Sequence, residues 1–176
     1  THPYQVLRNR TFAAALILAC AALTVRIAVE ASASESARTG GFAAYYTAAT
    51  LLRSGVPAVD LYDERTFRHA VAATVPPIND IYNGPPPALA ASIPLSLLEH
   101  DAARRVWIVC DLACFAAAIV MLCAILGMGG HWLAAPIGIA LVFTPLYDNL
   151  RYAQSYGVIT LLMTVCWFGI CRAHNG

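Results

Sequence analysis

The chain has 176 residues, of which 59% are hydrophobic and 12% are charged, and its net charge is +1. Charged residues are therefore too few to cover a globular surface, while several apolar runs are long enough to cross a bilayer. All eleven basic residues are arginines, spread along the chain without a cluster, so nothing favours nucleic-acid binding. We expect an all-α, polytopic integral membrane protein with the lipid bilayer as a partner.

The six cysteines all lie in hydrophobic segments, which is typical of small packing residues and not of disulfides. Cys110 and Cys114 share a helix face, but no second pair or nearby histidine completes a ligand set. We therefore predict no metal site and no cofactor.

The first apolar run, residues 11–29, predicts a transmembrane helix. About 19 residues at 1.5 Å each reach roughly 28 Å, close to the hydrocarbon thickness. Arg8 and Arg10 precede the run, and Arg26 lies near its other end, where its side chain can reach the headgroups. The alternative is a cleaved signal peptide, with the small residues 31–33 as its cleavage site.

Residues 30–84 form the predicted external loop of 55 residues, which contains two short amphipathic helices. The first, Phe42–Arg53, has aromatic and apolar residues at spacings of three and four, and Gly55 follows its end. We expect it to lie along the membrane surface. The second helix runs from Glu64 to about Thr74 and is ended by two prolines.

Three prolines, Pro85–Pro87, follow the loop. They fix φ and supply no amide donors, so we expect no helix through them and a rigid boundary between water and membrane. The next apolar segment, 85–99, is interrupted by Pro94 and predicts a tilted or partly inserted helix. Three more apolar spans follow, at 106–126, 132–146 and 156–171. The chain therefore has about five transmembrane or partly inserted helices, which form one membrane domain, 1–176.

Arginine bias gives the orientation. The arginines before the first span, and Arg104 and Arg105 between the second and third, lie on one side by parity. That side is predicted to be cytoplasmic, so the N-terminus is cytoplasmic and the loop 30–84 faces outward.

Asp111 is the acidic residue well inside a predicted span. Exposure to lipid at mid-depth costs roughly 2.5 to 3.5 kcal/mol, so its side chain should face another helix or a cavity. It is either a donor-site or assembly contact, with Arg104 or Arg105 as a possible partner, or an intramembrane hydrogen bond that fixes helix packing.

Three stretches in order carry a resemblance to a known family: GFAAYYTAATLLRSGVPAVDLYDE, IYNGPPPALAASIPLSLLEHDAARRVWIVCDLACF and FTPLYDNLRYAQSYGVITLLM. They resemble the N-terminal half of the GT-C glycosyltransferases of family 87, once called DUF2029, which includes polyprenol-phosphate-mannose-dependent mannosyltransferases. The resemblance implies a longer chain in a bacterial plasma membrane. It also implies transfer of a hexose, with mannose the first choice, from a polyprenyl-phosphate donor to a lipid or glycan hydroxyl at the outer face.

The resemblance also implies a catalytic carboxylate directly before Phe42, where this chain has Gly41. Asp63 and Asp80 are the candidates to replace it as base, because each adjoins a tyrosine and a turn near the prolines. The alternative is that Asp63 is a turn residue that caps the helix beginning at Glu64, which is the commoner role of such an aspartate.

Guanidinium groups bind phosphate oxygens through parallel donors, and tyrosine rings stack on sugars or isoprenoid chains. The same arginines can instead bind anionic headgroups, and the same tyrosines can form an interfacial belt. A second function is therefore open: a non-catalytic subunit that lost the acid and packs against other membrane subunits of a larger complex. The candidate substrate-binding residues are Tyr45, Tyr46, Arg53, Arg65, Arg68, Tyr82 and Gln154.

Overall fold

The computed structural model describes residues 3–32, 41–74, 80–128, 139 and 143–174. Within these residues the protein is all-helical, as the composition and periodicity predict. The elements in chain order are α1 (Pro3–Ser32), α2 (Phe42–Arg53), a 3-10 helix (Ala58–Tyr62), α3 (Glu64–Thr74), α4 (Pro86–Ser92), a second 3-10 helix (Pro94–Leu97), α5 (His100–Ile125), α6 (Thr144–Tyr152) and α7 (Tyr156–His174).

Two of the described helices are long and apolar enough to cross a membrane, α5 over His100–Ile125 and α7 over Tyr156–Ala173. They pack against each other more extensively than any other pair of described elements, and many of their large apolar side chains still face outward. A helix that is apolar on its outer face as well is stable in lipid. Among the side chains of α1 that the structure describes, the apolar stretch Ile17–Val29 is shorter. Most of the predicted span 132–146 lies outside the described residues.

The predicted inserted segment 85–99 is divided into α4 and the second 3-10 helix. Pro94 cannot donate to the preceding turn, and α4 ends at Ser92. We expected no helix through the three prolines, but Pro86 and Pro87 are the first residues of α4. The first amides of a helix have no internal partner in any case, so prolines are tolerated there.

α2 begins and ends at the predicted residues, but protein covers its apolar face, which we expected to lie along the membrane surface. It contacts α3, α4, α5 and both 3-10 helices. Small side chains allow these elements to approach closely, and the resulting cluster also includes Leu61, Phe67, Val71 and Leu89. The buried small residues of α2 are Ala43, Ala44, Thr47, Ala48 and Ala49.

Phe42 extends the start of α2 into a second buried cluster with α5 and α6, which includes Ala103, Ile108 and Leu150. α1 packs on this cluster through its contacts with α6. The guanidinium of Arg26 lies 3.7 Å from the ring centroid of Tyr147. Arg26 is exposed on α1, and it makes a cation–π contact with the buried ring of Tyr147 on α6.

Candidate functional site

A cavity of about 570 Å³ lies between the start of α2, the segment that carries the prolines and the start of α7. Its volume is within the range of roughly 300 to 1,000 Å³ that is typical of small-molecule sites. Gly41, directly before α2, and Tyr45 of α2 line it, and Trp107 lines it from α5. The start of α2, the proline segment and the start of α7 thus meet at one cavity.

Four of the predicted site residues line this cavity. Tyr45 comes from α2, Asp80 and Tyr82 come from the segment before α4, and Gln154 comes from the turn between α6 and α7. The position of the implied acid, Gly41, is in the same wall. These residues are far apart in sequence, and the packing of α2 between α4 and α5 brings them together.

Asp80 is the half-buried carboxylate of the cavity wall. Its Oδ1 accepts a hydrogen bond of 2.8 Å from the backbone N–H of Ile81. Burial raises the pKa of the Asp80 carboxyl above its ordinary value, while that hydrogen bond and the charge of Arg68 act in the opposite direction. A carboxylate with a raised pKa takes up a proton more readily, which suits a general base.

Asp63 lies at a separate open groove with Glu64, Arg65 and Arg68. Its Oδ2 accepts a hydrogen bond of 3.0 Å from the backbone N–H of Thr66, which caps the start of α3. The hydrogen bonds from Thr66 lower the pKa of the Asp63 carboxyl. The capping geometry that the sequence left as an alternative is present.

Tyr45 and Tyr82 form one wall of the cavity, and Tyr62 packs against Tyr82 from outside the lining. The ring of Tyr82 lies 5.9 Å from that of Tyr45, edge-on, and 5.3 Å from that of Tyr62. The Tyr62 hydroxyl donates to the carbonyl of Gly84 at 3.0 Å. A side chain at Gly84 would come within 3.0 Å of the Tyr82 hydroxyl oxygen, so the rings depend on glycine at that position.

The hydroxyl of Tyr82 is buried and has no hydrogen-bond partner among the described residues. Burial, with the nearby Tyr62 and Tyr45, raises the pKa of Tyr82 to about 12. The hydroxyl therefore stays protonated at physiological pH. A buried donor without a partner is costly, so it is suited to a substrate oxygen.

The other predicted substrate-binding residues lie away from the cavity lining. Tyr46 donates to the carbonyl of Leu98 at 2.8 Å, and Arg53 donates to that of Ser96 at 2.7 Å. Both bonds fasten α2 to the end of the second 3-10 helix. Arg68 pairs with Glu64 at 2.9 Å, and Arg65 is exposed at the same groove.

Side chains on one face of α5 form hydrogen bonds with the end of α6 and with the turn between α6 and α7. Arg104 donates to the carbonyl of Arg151 at 3.1 Å, and the Trp107 indole donates to that of Gln154 at 3.3 Å. One helical turn further on, Asp111 is only 2% exposed. Its described hydrogen bonds come from α6 and α7.

Asp111 accepts one hydrogen bond at each carboxylate oxygen. Asn149 Nδ2 donates to Oδ2 at 2.5 Å, and the backbone N–H of Val158 donates to Oδ1 at 3.1 Å. A side chain at Gly157 would overlap the backbone carbonyl of Asp111, so α5 and α7 are in close contact here. This arrangement matches the predicted intramembrane hydrogen bond that fixes packing.

The model of glycosyltransferase family 87 matches residues 82–175, more than half of the chain. The chain belongs to glycosyltransferase family 87. No curated protein and no solved structure matches the chain significantly. The matched region begins at Tyr82, so it covers the prolines, α5 and α7, whereas Gly41 and Asp80 precede it. Membership, together with the two membrane-length helices, places this family-87 protein in a membrane.

In this family-87 chain, sequence reasoning missed Trp107 and Asn149. Arg104, Trp107 and Asp111 are spaced by three and four residues, which puts them on one helix face. That spacing was a signal for a polar stripe on an otherwise apolar span. Asn149 had no comparable signal, because its role depends on the packing of α6 against α5.

Proposed function

We propose that this family-87 protein transfers a hexose, with mannose the first choice, from a polyprenyl-phosphate donor to an acceptor hydroxyl. The observation that carries the proposal is that Asp80, Tyr45, Tyr82 and Gln154 line one cavity in a chain of this family. A carboxylate, aromatic rings and an amide together meet the needs of a sugar site. The cavity volume is sufficient for a hexose together with the hydroxyl that attacks it.

Asp80 is the base of the proposed reaction. It takes the proton of the acceptor hydroxyl as the oxygen forms its bond to the anomeric carbon. The bond between that carbon and the phosphate oxygen breaks, and polyprenyl phosphate leaves with the bonding electrons. The raised pKa of the Asp80 carboxyl supports this role, because a more basic carboxylate removes the proton more effectively.

Tyr82 and Gln154 supply hydrogen bonds to the sugar or to the leaving phosphate. The Tyr82 hydroxyl is protonated and lacks a described partner, and the Gln154 amide carries two donors. Tyr45 offers its ring, which stands edge-on to Tyr82, for contact with a sugar face. Arg65 and Arg68 lie at a different groove and serve better as contacts for anionic headgroups.

The proposed setting is a bacterial plasma membrane with about five transmembrane or partly inserted helices, the N-terminus in the cytoplasm and the cavity at the outer face. The segment 85–99 is then partly inserted and does not cross, because its helices are short and the cavity joins Tyr45 and Asp80 with the start of α7. On this arrangement Arg104 lies on the outer side, not on the cytoplasmic side that parity predicted. α5 and α7 are the described helices of membrane length, and the cavity lies beside the start of α7. A lipid-linked donor in the outer leaflet would then reach the cavity laterally. Its acceptor is a lipid or glycan hydroxyl.

Two matched variants test this function in membranes that receive a labelled polyprenyl-phosphate hexose. Asp80→Asn should lower kcat/KM for transfer by about 10²-fold or more, because a general base contributes at least that factor. Asp63→Asn should keep most of the transfer, since Asp63 caps α3 outside the cavity. Wild-type transfer by Asp80→Asn would exclude Asp80 as the base.

Position 41 supports a second candidate function, a non-catalytic membrane subunit. Gly41 stands where the family resemblance implies the acid, and no other side chain fits there without a shift of the backbone. On this hypothesis, wild-type membranes show no transfer with any polyprenyl-phosphate hexose, and the protein co-purifies stoichiometrically with another membrane protein. Transfer by the isolated wild-type chain contradicts it.

A further inference from the structure

The turn that carries Gln154 and Tyr156 forms one wall of the cavity, and two polar side chains outside the lining hold it. Asp111 belongs to α5 and Asn149 to α6, and the two are joined directly at 2.5 Å. Each also bonds a backbone amide at the start of α7. Asp111 binds that of Val158 at 3.1 Å, and Asn149 Oδ1 binds that of Tyr156 at 3.2 Å.

These contacts use both oxygens of the Asp111 carboxylate, and they use the oxygen and the nitrogen of the Asn149 amide. Two of the first three amides of α7 are thereby occupied by side chains from other helices. Such amides otherwise lack a partner, so the two side chains decide where α7 begins. The wall of the cavity is fixed at the same point.

We infer that Asp111 and Asn149 are positioning residues that hold Gln154 and Tyr156 in the wall of the sugar-transfer cavity. The inference deepens the proposed function and rests on it for its effect on transfer. Neither residue lines the cavity, so neither touches the reacting atoms. Their effect passes through the backbone of residues 154–158, which Trp107 also holds through its bond to the Gln154 carbonyl.

The pair permits a sharp exchange experiment because a carboxylate has two acceptor oxygens and an amide has one. In Asp111→Asn, the new amide nitrogen replaces one acceptor oxygen and faces a donor, either the Asn149 amide nitrogen or the Val158 N–H. One hydrogen bond is therefore lost. The double exchange Asp111→Asn with Asn149→Asp restores every pairing. The new amide donates to the new carboxylate, while Val158 and Tyr156 keep an oxygen as acceptor.

Asn149→Ala is the second disrupting variant. It removes the contacts to both Asp111 and Tyr156 while it keeps the charge on α5. It therefore separates loss of positioning from a direct effect of that charge. Thr164→Val is the matched control, because Thr164 is a buried polar residue of α7 that bonds the carbonyl of Thr160 inside its own helix.

Trp107 provides a readout that needs no substrate, because its indole lines the cavity and bonds the turn. Replacing Trp132 and Trp167 with Phe leaves it as the sole tryptophan. Folded, monodisperse protein in lipid vesicles is then compared for emission wavelength and acrylamide quenching. Asp111→Asn and Asn149→Ala should give red-shifted, more readily quenched emission, and the double exchange and Thr164→Val should match the parent.

Transfer kinetics in the wild-type tryptophan background complete the test. Displacement of a positioned wall by about 1 Å can cost up to about 10²-fold, so both disrupting variants should lower kcat/KM by about tenfold or more. The double exchange should return kcat/KM to within about threefold of wild type, because it restores every hydrogen bond of the pair. Thr164→Val should transfer at the wild-type rate.

Three outcomes are decisive. If both disrupting variants show the emission and quenching of wild-type Trp107, the inference is overturned. The pair would then contribute only to helix packing, even if the thermal midpoint falls. Shifted emission that the double exchange does not reverse would overturn it as well, because the pairing would then be irrelevant. Absence of transfer in the wild type, with the expected Trp107 response, means that the proposed function fails while the hold on the turn stands.

Discussion

Gly41 lies directly against the backbone carbonyl of Tyr152, so that a side-chain carbon at position 41 would overlap the carbonyl oxygen. Its φ of +96° is also in the region that favours glycine. The end of α6 therefore occupies the space where the family resemblance implies a carboxylate. The packing of α6 onto the start of α2 leaves no room for a side chain at this position.

Gly41→Asp should therefore destabilise the protein and should not restore or raise transfer. We expect a loss of more than about 2 kcal/mol in the free energy of unfolding, from the positive φ together with the overlap. The measurement is denaturant unfolding of the detergent-solubilised protein, together with the transfer assay. Increased transfer by Gly41→Asp would contradict this view of the site.

Gly55 gives the matched control for that prediction. Its φ is +91°, close to that of Gly41, but a side-chain carbon there would meet nothing within 4 Å. Gly55→Ala should thus cost only about 1 to 2 kcal/mol, the usual penalty of a left-handed residue. Gly41→Ala should cost more, because its side-chain carbon would also overlap the carbonyl oxygen of Tyr152.

The pH profile of transfer should report on Asp80. The pKa of this carboxyl is raised by burial above its ordinary value of 3.8, and only the unprotonated form can act as base. Transfer should therefore fall as the pH is lowered through that raised pKa. The acidic limb of kcat/KM against pH should be present in wild type and absent from any residual activity of Asp80→Asn.

The lowered pKa of Asp63 should appear in the pH dependence of stability and not in that of transfer. Hydrogen bonds from Thr66 lower the pKa of the folded Asp63 carboxyl below its ordinary value of 3.8. Its contribution to stability is therefore present above that value and is lost as the pH falls through the lowered folded pKa. Asp63→Asn should remove this part of the acid dependence of unfolding, with transfer unchanged near neutral pH.

Tyr82 and Tyr62 form a matched pair, because the Tyr82 hydroxyl has no described partner and the Tyr62 hydroxyl has one. Tyr82→Phe should leave the free energy of unfolding unchanged or slightly raised, because its hydroxyl has no described partner to lose. Tyr62→Phe should cost about 0.5 to 1.5 kcal/mol, since its hydroxyl bonds Gly84. If the Tyr82 hydroxyl contacts the substrate, only Tyr82→Phe should lower kcat/KM by tenfold or more, about 1.4 kcal/mol. Equal kinetic effects would assign both rings a structural role.

Ala153→Gly should stabilise the protein. Ala153 has a φ of +46° at the end of α6, the left-handed conformation that costs a non-glycine residue about 1 to 2 kcal/mol. Loss of its buried methyl group costs about 0.8 kcal/mol, so the net gain should be below about 1 kcal/mol. Ala72→Gly, on the exposed side of α3, should instead destabilise by about 0.5 to 1 kcal/mol. A loss of stability in both variants would show that the methyl contacts of Ala153 outweigh its strain.

Local sequence was sufficient for the helical class and for the limits of α2 and α3. The spacing of apolar residues from Phe42 to Arg53 and the turn residues after them depend only on neighbours along the chain. The same information did not show whether lipid or protein contacts the apolar face of α2. Both environments select the same apolar face, and only the positions of α3, α4 and α5 show which one is present.

The choice between Asp63 and Asp80 could not be made from sequence either, since each carboxylate adjoins a tyrosine and a turn. Tertiary structure put Asp80 in the cavity wall and left Asp63 as a cap, because the segment before α4 folds back onto α2. Asp111 was foreseen as a buried acid, but its partner Asn149 was not. A sequence reveals the cost of burying a charge inside an apolar helix, because that cost depends only on neighbouring residues. The hydrogen bonds that offset the cost come from residues 38 and 47 positions away. Only the packing of α5, α6 and α7 brings those residues into reach.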